Sequence, residues 1–273
     1  MTQAQIEELK ERARHMRGHI IRMLAAAKSG HPGGSLSGVD LLAYLYFYKM
    51  NIDPQNPKMP DRDRFILSKG HAGPLLYSAL AEKGFFDKDL VCTLRQFNSI
   101  LQGHPDMKRT PGVEISSGSL GQGLSVANGI AIAGKMDQRP YRVYVLIGDG
   151  ESQEGQIWEA AMTSVHYKLD NLTAFLDYNH LQIDGAIEDV KSFTDPRARF
   201  EAFGWHVIEI NGHCFNEIDN AVTEAESTKG KPTMVIMNTI KGKGCDFMEN
   251  QAGWHGKAPS AEEAEQALKE LGF

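Results

Sequence analysis

One aspartate in this sequence stands in a setting that suits metal binding. Asp149 comes just after the apolar run "RVYVLI" and is flanked by two glycines in "GDG". A second candidate ligand, Asn179, follows the apolar run "LTAFLDY", with 28 residues between it and Gly150. That separation is about the length of one helical crossover plus a strand, so the two residues would end neighbouring parallel strands. A carboxylate and an amide oxygen placed side by side are ligands that Mg²⁺ accepts, together with water and phosphate oxygens.

The same segment does not match the common nucleotide-binding and calcium-binding loops. A dinucleotide fingerprint starting at Gly148 would need glycine at position 153, where the chain has Gln153. No GxxxxGK(S/T) loop occurs in the chain, and the alternating acids of an EF-hand are missing. We therefore expect a metal-bridged diphosphate, with Gly150 letting the backbone come close to it. A simple Mg²⁺-dependent nucleotide-binding module remains an alternative at this point.

The elements that must position these residues are predicted from the hydrophobic pattern. Short apolar runs alternate with longer helical patterns, which is typical of a parallel sheet covered by helices on both faces. Strands are predicted near Phe65, over 142–148 and 172–179, and near Val207 and Val235. Helices are predicted over 6–27, 38–49, 75–83, 124–136, 158–166, 195–202 and 217–227, and a last helix opens with a capping box at Ser260. The fold prediction is one doubly wound, mostly parallel α/β domain over residues 1–273.

Polar residues follow four of the predicted strands. The strand near Phe65 is followed by "SKGH", the next two by "GDG" and "DYN", and the strand near Val235 by "KGKG". Ligands of open parallel sheets bind at the carboxyl ends of the strands. We therefore expect these groups to meet at one rim of the sheet.

Composition excludes several other classes of protein. The chain is 41% hydrophobic and 23% charged, which is ordinary globular composition, and its net charge is −6. Because it lacks a long basic run, neither nucleic acid nor an anionic membrane is an expected partner. Cys92, Cys214 and Cys245 are odd in number and lack CxxC spacing, so they indicate neither a disulfide framework nor a zinc site. A reducing, cytoplasmic location is expected.

Long segments of the chain resemble one known family. GDG followed after 28 residues by Asn is the thiamine diphosphate motif, and the surrounding sequence resembles the amino-terminal half of transketolases. The matching segments, in family order, are "KSGHPGGSLSGVDLLAYLY", "DRDRFILSKGHAGPLLYSAL", "GHPD", "PGVEISSGSLGQGLSVANGIAIA", "GDGESQEGQIWEA", "DYNHLQIDG", "FGWHVIEINGH" and "NTIKGKGCDFMENQAGWHGKAP". The chain is identified as a transketolase-family member with the diphosphate-binding type of thiamine diphosphate fold.

The resemblance implies a cofactor and a metal site. Asp149, the Asn179 side chain and the Leu181 carbonyl would bind Mg²⁺, for which Ca²⁺ or Mn²⁺ can substitute. The residues implied to line thiamine diphosphate are His71, Gly118, Ser119, Leu120, Asp149, Gly150, Glu154, Asn179, Ile183, Lys241 and His255, with Glu154 near a subunit interface. The family's active-site histidines match His31, His71, His104 and His255.

The implied activity is transfer of a two-carbon ketol unit from a ketose phosphate to an aldose phosphate, as in the pentose phosphate pathway. Thiamine diphosphate would supply the electron sink that this bond cleavage needs. Imidazoles can take and return a hydroxyl proton near pH 7, which suits His31 and His255. His104 would hold the C1 hydroxyl, and His71 and Lys241 would meet the diphosphate. The histidines expected to have no role in the site are His15, His19, His166, His180, His206 and His213.

The resemblance also implies a partner chain. Full-length members continue into a pyrimidine-binding domain and a third, carboxyl-terminal domain, which carry the glutamate that activates the cofactor and most groups that bind the sugar phosphate. We therefore expect the amino-terminal subunit of a split transketolase, active only with a separate second chain in an α2β2 heterotetramer.

Two further alternatives stay open. Another thiamine diphosphate enzyme, such as a 1-deoxyxylulose-5-phosphate synthase-like ketol or acyl transferase, would share GDG and Asn; the histidines of "GHPD" and "WHGK" argue against it. A non-catalytic scaffold would show eroded site residues, whereas all the matched ligand positions are kept.

Overall fold

The predicted strands form one central sheet. The computed structural model describes residues 1–273, and the strands of its main sheet are β1 (Arg64–Leu67), β2 (Val143–Gly148), β3 (Leu172–Tyr178), β6 (His206–Asn211) and β7 (Thr233–Asn238). A short antiparallel hairpin, β4 (Leu181–Gln182) and β5 (Gly185–Ala186), follows β3. The five strands of the main sheet are all parallel and run in the order β1-β2-β3-β7-β6. This order, which differs from the chain order, confirms the predicted doubly wound α/β fold.

Helices cover both faces of this sheet. They are α1 (Gln3–Ala27), α2 (Pro32–Ser37), α3 (Val39–Tyr44), α4 (Gly73–Lys83), α5 (Gln122–Met136), α6 (Gly155–His166), α7 (Ile187–Lys191), α8 (Pro196–Ala202), α9 (Phe215–Ser227) and α10 (Ala261–Glu270). Successive side chains of a strand point to opposite faces of a sheet. Accordingly, Tyr144 and Leu146 of β2 join a core with α1, α3, α4 and α9, whereas Val143, Val145 and Ile147 join one with α5, α6 and α8.

Capping residues set the ends of the first and last helices. The predicted capping box at Ser260 is present, with Glu263 as its second member. At the other end of the chain, α1 begins at Gln3, three residues before the prediction, because Thr2 and Gln5 form another capping box. None of the ten helices is both long and apolar enough to span a lipid bilayer.

The structure differs from the predicted elements in several short regions. The predicted helix over 38–49 is α3 followed by a π-helical turn, Leu45–Lys49. The segment "PGGSLS", which glycine and proline mark as a loop, forms the buried helix α2, where Pro32 occupies a first-turn position that needs no N–H donor. The prediction also lacks α7 and the β4-β5 hairpin, both too short for a periodic pattern.

Candidate functional site

The polar groups that follow the strands meet at one edge of the sheet. Gly148 of β2 pairs with Asp177 of β3, so Asp149 lies beside the end of the neighbouring strand. There the backbone N–H of Asn179 donates to Asp149 Oδ2 at 3.0 Å, and the N–H of His180 donates to the same oxygen at 2.7 Å. Asp149 and Asn179 are therefore adjacent, as the spacing of the strands predicts.

The candidate metal ligands offer only oxygen atoms. Asn179 Oδ1 accepts the N–H of Leu181 at 3.2 Å, and the Leu181 carbonyl accepts Lys241 Nζ at 2.8 Å. No group of three or more His, Cys, Asp or Glu side chains in the chain is arranged to hold a metal ion. One carboxylate, one amide oxygen and one carbonyl are hard ligands of the kind that Mg²⁺ combines with water and phosphate oxygens. The donor set thus fits Mg²⁺ bound together with a diphosphate.

These strand ends open into a cavity of about 340 Å³, a size usual for small-ligand sites. Two buried atoms of its lining residues, His31 Nδ1 and Gln182 Nε2, have no hydrogen-bond partner within the protein. A ligand with polar atoms near them would supply those partners. The sequence-predicted site residues that line the cavity are His31, His71, Gly118, Leu120, Asp149, Gly150, Glu154, Asn179, Leu181, Ile183, Lys241 and His255.

Two of the predicted site residues lie outside this lining. Ser119 is exposed in the loop between Gly118 and Leu120. His104 is exposed as well, and its ring lies against Gly118, where an added Cβ would come within 3.3 Å of His104 Cδ2. Both residues are thus next to the cavity lining without forming part of it.

Three histidines from distant parts of the chain form a triangle in the cavity. The ring centroids of His31 and His71 are 5.1 Å apart, those of His31 and His255 are 5.5 Å apart, and those of His71 and His255 are 5.3 Å apart. His31 immediately precedes α2, His71 follows β1, and His255 lies in the long loop after β7. The triangle therefore depends on the sheet order, which places the ends of β1 and β7 at the same rim.

Burial keeps these histidines uncharged. It lowers the pKa of His71 from 6.5 to about 2, and the positive charge of Lys69 lowers it further. It also lowers the pKa of His255 to about 3, with Lys241 as the next cause. The pKa of His31 is lowered by burial and then by the charge of Arg95. Neutral imidazoles offer both a hydrogen-bond donor and an acceptor, so the triangle can bind and orient polar groups of a ligand.

Lys241 joins the histidines to the candidate metal site. Besides donating to the Leu181 carbonyl, its Nζ lies 2.9 Å from His255 Nδ1. Burial lowers the pKa of Lys241, although the nearby carboxylates of Asp149 and Asp177 oppose this shift. The chain approaches this lysine closely at Gly33 in "HPGG", where an added Cβ would lie 2.9 Å from Lys241 Cγ. A side chain at that position would displace the lysine.

Sequence reasoning missed a buried ion pair beneath the cavity. Lys69 Nζ donates to Asp177 Oδ2 at 2.5 Å, and the hydroxyls of Ser37 and Thr239 donate to the same carboxylate. Burial disfavours the charged form of Asp177, but Lys69 and these hydroxyls outweigh it and lower the pKa. The positions of Lys69 and Asp177 at strand ends marked them as polar groups near the rim. Their pairing could not be read from the sequence, because β1 and β3 are separated by β2 in the sheet.

Glu151 is a second residue that sequence reasoning left without a role. It lines the cavity and is buried, and both of its carboxylate oxygens accept hydrogen bonds. Burial raises its pKa, and the surrounding donors oppose that shift. The only signal in the sequence was its place two residues after Asp149.

Comparison with known proteins identifies the family. Residues 10–273 match the family model described as "Transketolase, thiamine diphosphate binding domain". The chain belongs to the transketolase family. It is 47% identical to a 6-deoxy-6-sulfo-D-fructose transketolase subunit from Clostridium sp. strain MSTE9, with 99% of this chain and 98% of the relative covered. It is 45% identical to an apulose-4-phosphate transketolase subunit from Phocaeicola vulgatus, with 98% of this chain and 95% of the relative covered.

Solved structures of transketolases have the same fold. The transketolase of Leishmania mexicana superposes with a TM-score of 0.90 at 33% identity, and the match covers 97% of this chain and 41% of that one. This transketolase chain thus spans nearly all of its subunit relatives but about two fifths of the Leishmania enzyme. It is a transferase subunit that corresponds to the amino-terminal, thiamine diphosphate-binding part of the family.

Proposed function

We propose that this subunit binds thiamine diphosphate with Mg²⁺ in the cavity and transfers a two-carbon ketol unit from a ketose phosphate to an aldose phosphate. The convergence of three neutral histidines, one lysine and a set of oxygen ligands on one cavity supports this proposal most directly. When bound, thiamine diphosphate supplies the electron sink for carbon–carbon cleavage. The protein's own residues bind the metal and the diphosphate and move protons.

The proposed Mg²⁺ ligands are Asp149, Asn179 and the carbonyl of Leu181, and Ca²⁺ or Mn²⁺ would accept the same oxygens. The Leu181 carbonyl accepts a hydrogen bond from Lys241 Nζ, so an ion held at this oxygen would lie close to the ammonium group. The ammonium group of Lys241 would then be available to a diphosphate held by the same ion. Metal binding and diphosphate binding would in this way favour each other.

The neutral histidines are proposed to act on the sugar. His31 and His255 would exchange the hydroxyl proton of the donor. Their rings are neutral in the cofactor-free cavity, and an anionic diphosphate beside them would raise their pKa towards the range in which imidazoles transfer protons near pH 7. His71 would meet the diphosphate together with Lys241, and His104, exposed beside Gly118, is placed to hold the C1 hydroxyl. The other proposed cofactor contacts are Gly118, Ser119, Leu120, Gly150, Glu154 and Ile183.

A second polypeptide is the proposed partner. The two subunit relatives named above are almost fully covered by this chain, which favours residues 1–273 as one thiamine diphosphate-binding domain with the pyrimidine-binding domain on another polypeptide. Leu120 and Ile183, which line the cavity, are 36% and 68% exposed. A second chain closing the cavity would cover such apolar groups. Two copies of each subunit, α2β2, are the proposed assembly.

The proposed substrates are sugars with a terminal anion. One relative is named for a sulfonated ketose and another for apulose 4-phosphate, so both phosphate and sulfonate groups occur among the substrates for which these relatives are named. We take sugar phosphates, including those of the pentose phosphate pathway, as the first candidates. A cytoplasmic location is also proposed, because Cys92, Cys214 and Cys245 are all free thiols.

Ketol transfer assayed with and without the second subunit tests the proposal. The chain, isolated from its native source with any subunit that co-purifies, is given thiamine diphosphate and Mg²⁺. Ketose phosphates, a sulfonated ketose, and pyruvate with glyceraldehyde phosphate are the donors compared. Activity is expected only when the second subunit is present, and only with a ketose donor. The Asp149→Asn variant should lose that activity, whereas Asp184→Asn, at an exposed position in the same region, should keep it.

Three outcomes would contradict parts of the proposal. Full activity of the chain alone would exclude the split assembly. Consumption of pyruvate without ketol transfer would indicate a different thiamine diphosphate reaction. Affinity for ATP without any effect of thiamine diphosphate on the melting temperature would indicate a nucleotide-binding module instead.

A further inference from the structure

Glu151 holds an unusual position at the edge of the cavity. Glu151 is only 3% exposed, although Gln153 and Glu154, a few residues further along the chain, reach the surface. Oε1 accepts the Ser68 hydroxyl at 2.5 Å and the N–H of Gly121 at 2.9 Å. Oε2 accepts the N–H of Gly148 at 2.9 Å. One buried carboxylate therefore receives three donors, and none of the three belongs to a charged side chain.

The three donors come from three separate segments that line the cavity. Gly148 ends β2 and directly precedes Asp149, the proposed metal ligand. Ser68 directly follows β1 and is followed by Lys69 and the segment that carries His71. Gly121 closes the loop that presents Gly118 and Leu120 and opens α5. Glu151 is hydrogen-bonded to each of these segments at once.

Simple packing does not account for a carboxylate at this place. Burying a carboxylate without a paired cation is unfavourable, and the proposed site binds an anionic diphosphate, which a nearby carboxylate repels. The three hydrogen-bond donors compensate for the cost of burial. An ionised carboxylate has only acceptor sites, so it can accept a hydrogen bond from each of them. A glutamine cannot do so, since its amide has one oxygen and its NH₂ group would face at least one of the two backbone N–H groups.

From this geometry we infer that Glu151 is a positioning residue for the cofactor site. It fixes the loop over 118–121 and the end of β1 relative to Asp149, so that the metal ligand and the glycine loop are in place before the cofactor arrives. This inference rests on the proposed function, because it takes the cavity to be the thiamine diphosphate site. It predicts an effect on cofactor affinity that exceeds the effect on the chemical step.

The test compares Glu151→Gln with three other forms of the full-length chain. Ser68→Ala removes one of the three donors and leaves the N–H groups of Gly121 and Gly148 paired with Glu151, although it also removes the acceptor of the Gly123 N–H. Glu265→Gln makes the same chemical change at an exposed position on α10. The wild-type chain provides the reference. Each form is studied by amide hydrogen exchange and by calorimetric titration with thiamine diphosphate in excess Mg²⁺, and again in the presence of the second subunit.

Glu151→Gln should speed amide exchange at Gly121 or Gly148 by at least about tenfold, because one of these N–H groups loses its acceptor. Exchange at Val222, buried in α9 on the other face of the sheet, should stay unchanged. Cofactor affinity should fall at least about tenfold in Glu151→Gln, less in Ser68→Ala, and not in Glu265→Gln. With the second subunit present, the KM for thiamine diphosphate should rise, while kcat at saturating cofactor should change less than about threefold.

Two results would overturn the inference. The first is wild-type cofactor affinity in Glu151→Gln, whatever happens to the exchange rates. The second is faster exchange by the same factor at Val222 as at Gly121 and Gly148, which would indicate a general loss of stability rather than loss of positioning. If the wild-type chain binds no cofactor with or without its partner, the proposed site itself fails, and this inference fails with it.

Discussion

Burial sets the charge of the cavity histidines, and this has a consequence for stability that can be measured without cofactor. His71 keeps its neutral form in the folded chain because burial and the charge of Lys69 lower its pKa to about 2 from 6.5. In the unfolded chain the same ring takes up a proton once the pH falls below 6.5. The contribution of this histidine to stability is therefore fully present above pH 6.5 and declines as the pH falls.

Replacing His71 should flatten the pH dependence of stability in the acidic range. Between pH 6 and pH 5, the unfolding free energy of His71→Asn should fall by about 1.2 kcal/mol less than that of the wild type, close to the limit of about 1.4 kcal/mol per pH unit for one full proton. Urea denaturation of the cofactor-free chain at pH 7, 6 and 5 measures this. His166→Asn is the control, because His166 is the exposed last residue of α6, and this variant should follow the wild-type curve. Parallel curves for His71→Asn and wild type would show that His71 titrates normally in the folded chain.

At the scale of elements, α5 shows how glycine brings a helix close to the sheet. The N–H of Gly123 donates to Ser68 Oγ at 3.1 Å, and an added Cβ would lie 2.4 Å from Ser68 Cβ. Gly129, two turns further along the same helix, is exposed, and an added Cβ there would meet nothing within 4 Å. Both glycines lie in the same helix, but there is no room for a side chain at Gly123 and ample room for one at Gly129.

Alanine substitution should separate the two glycines. Gly123→Ala should destabilise the chain by about 1–3 kcal/mol, because the methyl group has to displace the end of β1. In the dissociated single chain, Gly129→Ala should stabilise the fold by about 0.5–1 kcal/mol, because alanine loses less conformational entropy than glycine on forming a helix. Thermal or urea unfolding of the two variants measures both effects. Equal effects would mean that α5 can shift away from β1 at little cost.

A buried polar cluster fixes the loop that carries Lys241. The Asp40 carboxylate of α3 receives two hydrogen bonds from Arg17 of α1, at 3.2 and 2.7 Å, and lies 2.7 Å from His213 Nδ1. His213 Nε2 in turn accepts the N–H of Ile240, the residue before Lys241, at 2.9 Å. Burial opposes ionisation of Asp40, but Arg17 and His213 outweigh it and lower the pKa to about 2. His213 does not line the cavity, yet it anchors a segment that does.

Removing the carboxylate of this cluster should be costly. Asp40→Ala leaves the Arg17 guanidinium buried without its partner and should reduce the unfolding free energy by about 3–5 kcal/mol. Asp137→Ala, at an exposed position after α5, should change it by less than about 0.5 kcal/mol. Urea denaturation at pH 7 gives both values. A loss below about 1 kcal/mol in Asp40→Ala would show that water replaces the carboxylate and that the cluster contributes little.

At the scale of the whole molecule, the proposed assembly needs a surface for a second copy. The packed pair of α5 and α6 exposes apolar side chains on its outer side: Val126 is 37% exposed and Met162 is 54% exposed. Gly129 and Ala133 of α5 are exposed as well, so a neighbouring helix could approach α5 closely. The sequence of α5 is rich in glycine and alanine, which is typical of a helix that packs closely against a neighbour.

Charges on this surface should prevent self-association. If the wild type forms the proposed dimer, the double variant Val126→Glu, Met162→Glu is expected to sediment at half its mass, because two carboxylates of each copy would be buried without partners. Tyr48→Glu changes a side chain that is 41% exposed elsewhere on the molecule and should leave the dimer intact. Analytical ultracentrifugation with and without the second subunit measures the masses. A wild-type chain that stays monomeric under both conditions would contradict the proposed α2β2 state.

The sequence by itself determined the fold class, the strands and most of the candidate site. Short apolar runs and helical periodicity are local patterns, so the five main strands and the long helices could be read from neighbouring residues. The pairing of Asp149 with Asn179 could also be read, because consecutive βα units of a parallel sheet usually lie side by side. Short elements such as α2 and the β4-β5 hairpin escaped prediction, since tertiary contacts rather than local pattern stabilise them.

Only the tertiary structure decided how the distant segments meet. The histidine triangle, the Lys69–Asp177 ion pair and the three donors to Glu151 each join strands or loops far apart in the chain. The neutrality of the histidines likewise comes from burial and neighbouring charge, which no residue type shows on its own. Residue type and spacing reveal which groups are available at the ends of the strands. Their distances and charge states depend on strand order and solvent exclusion, and these exist only in the folded chain.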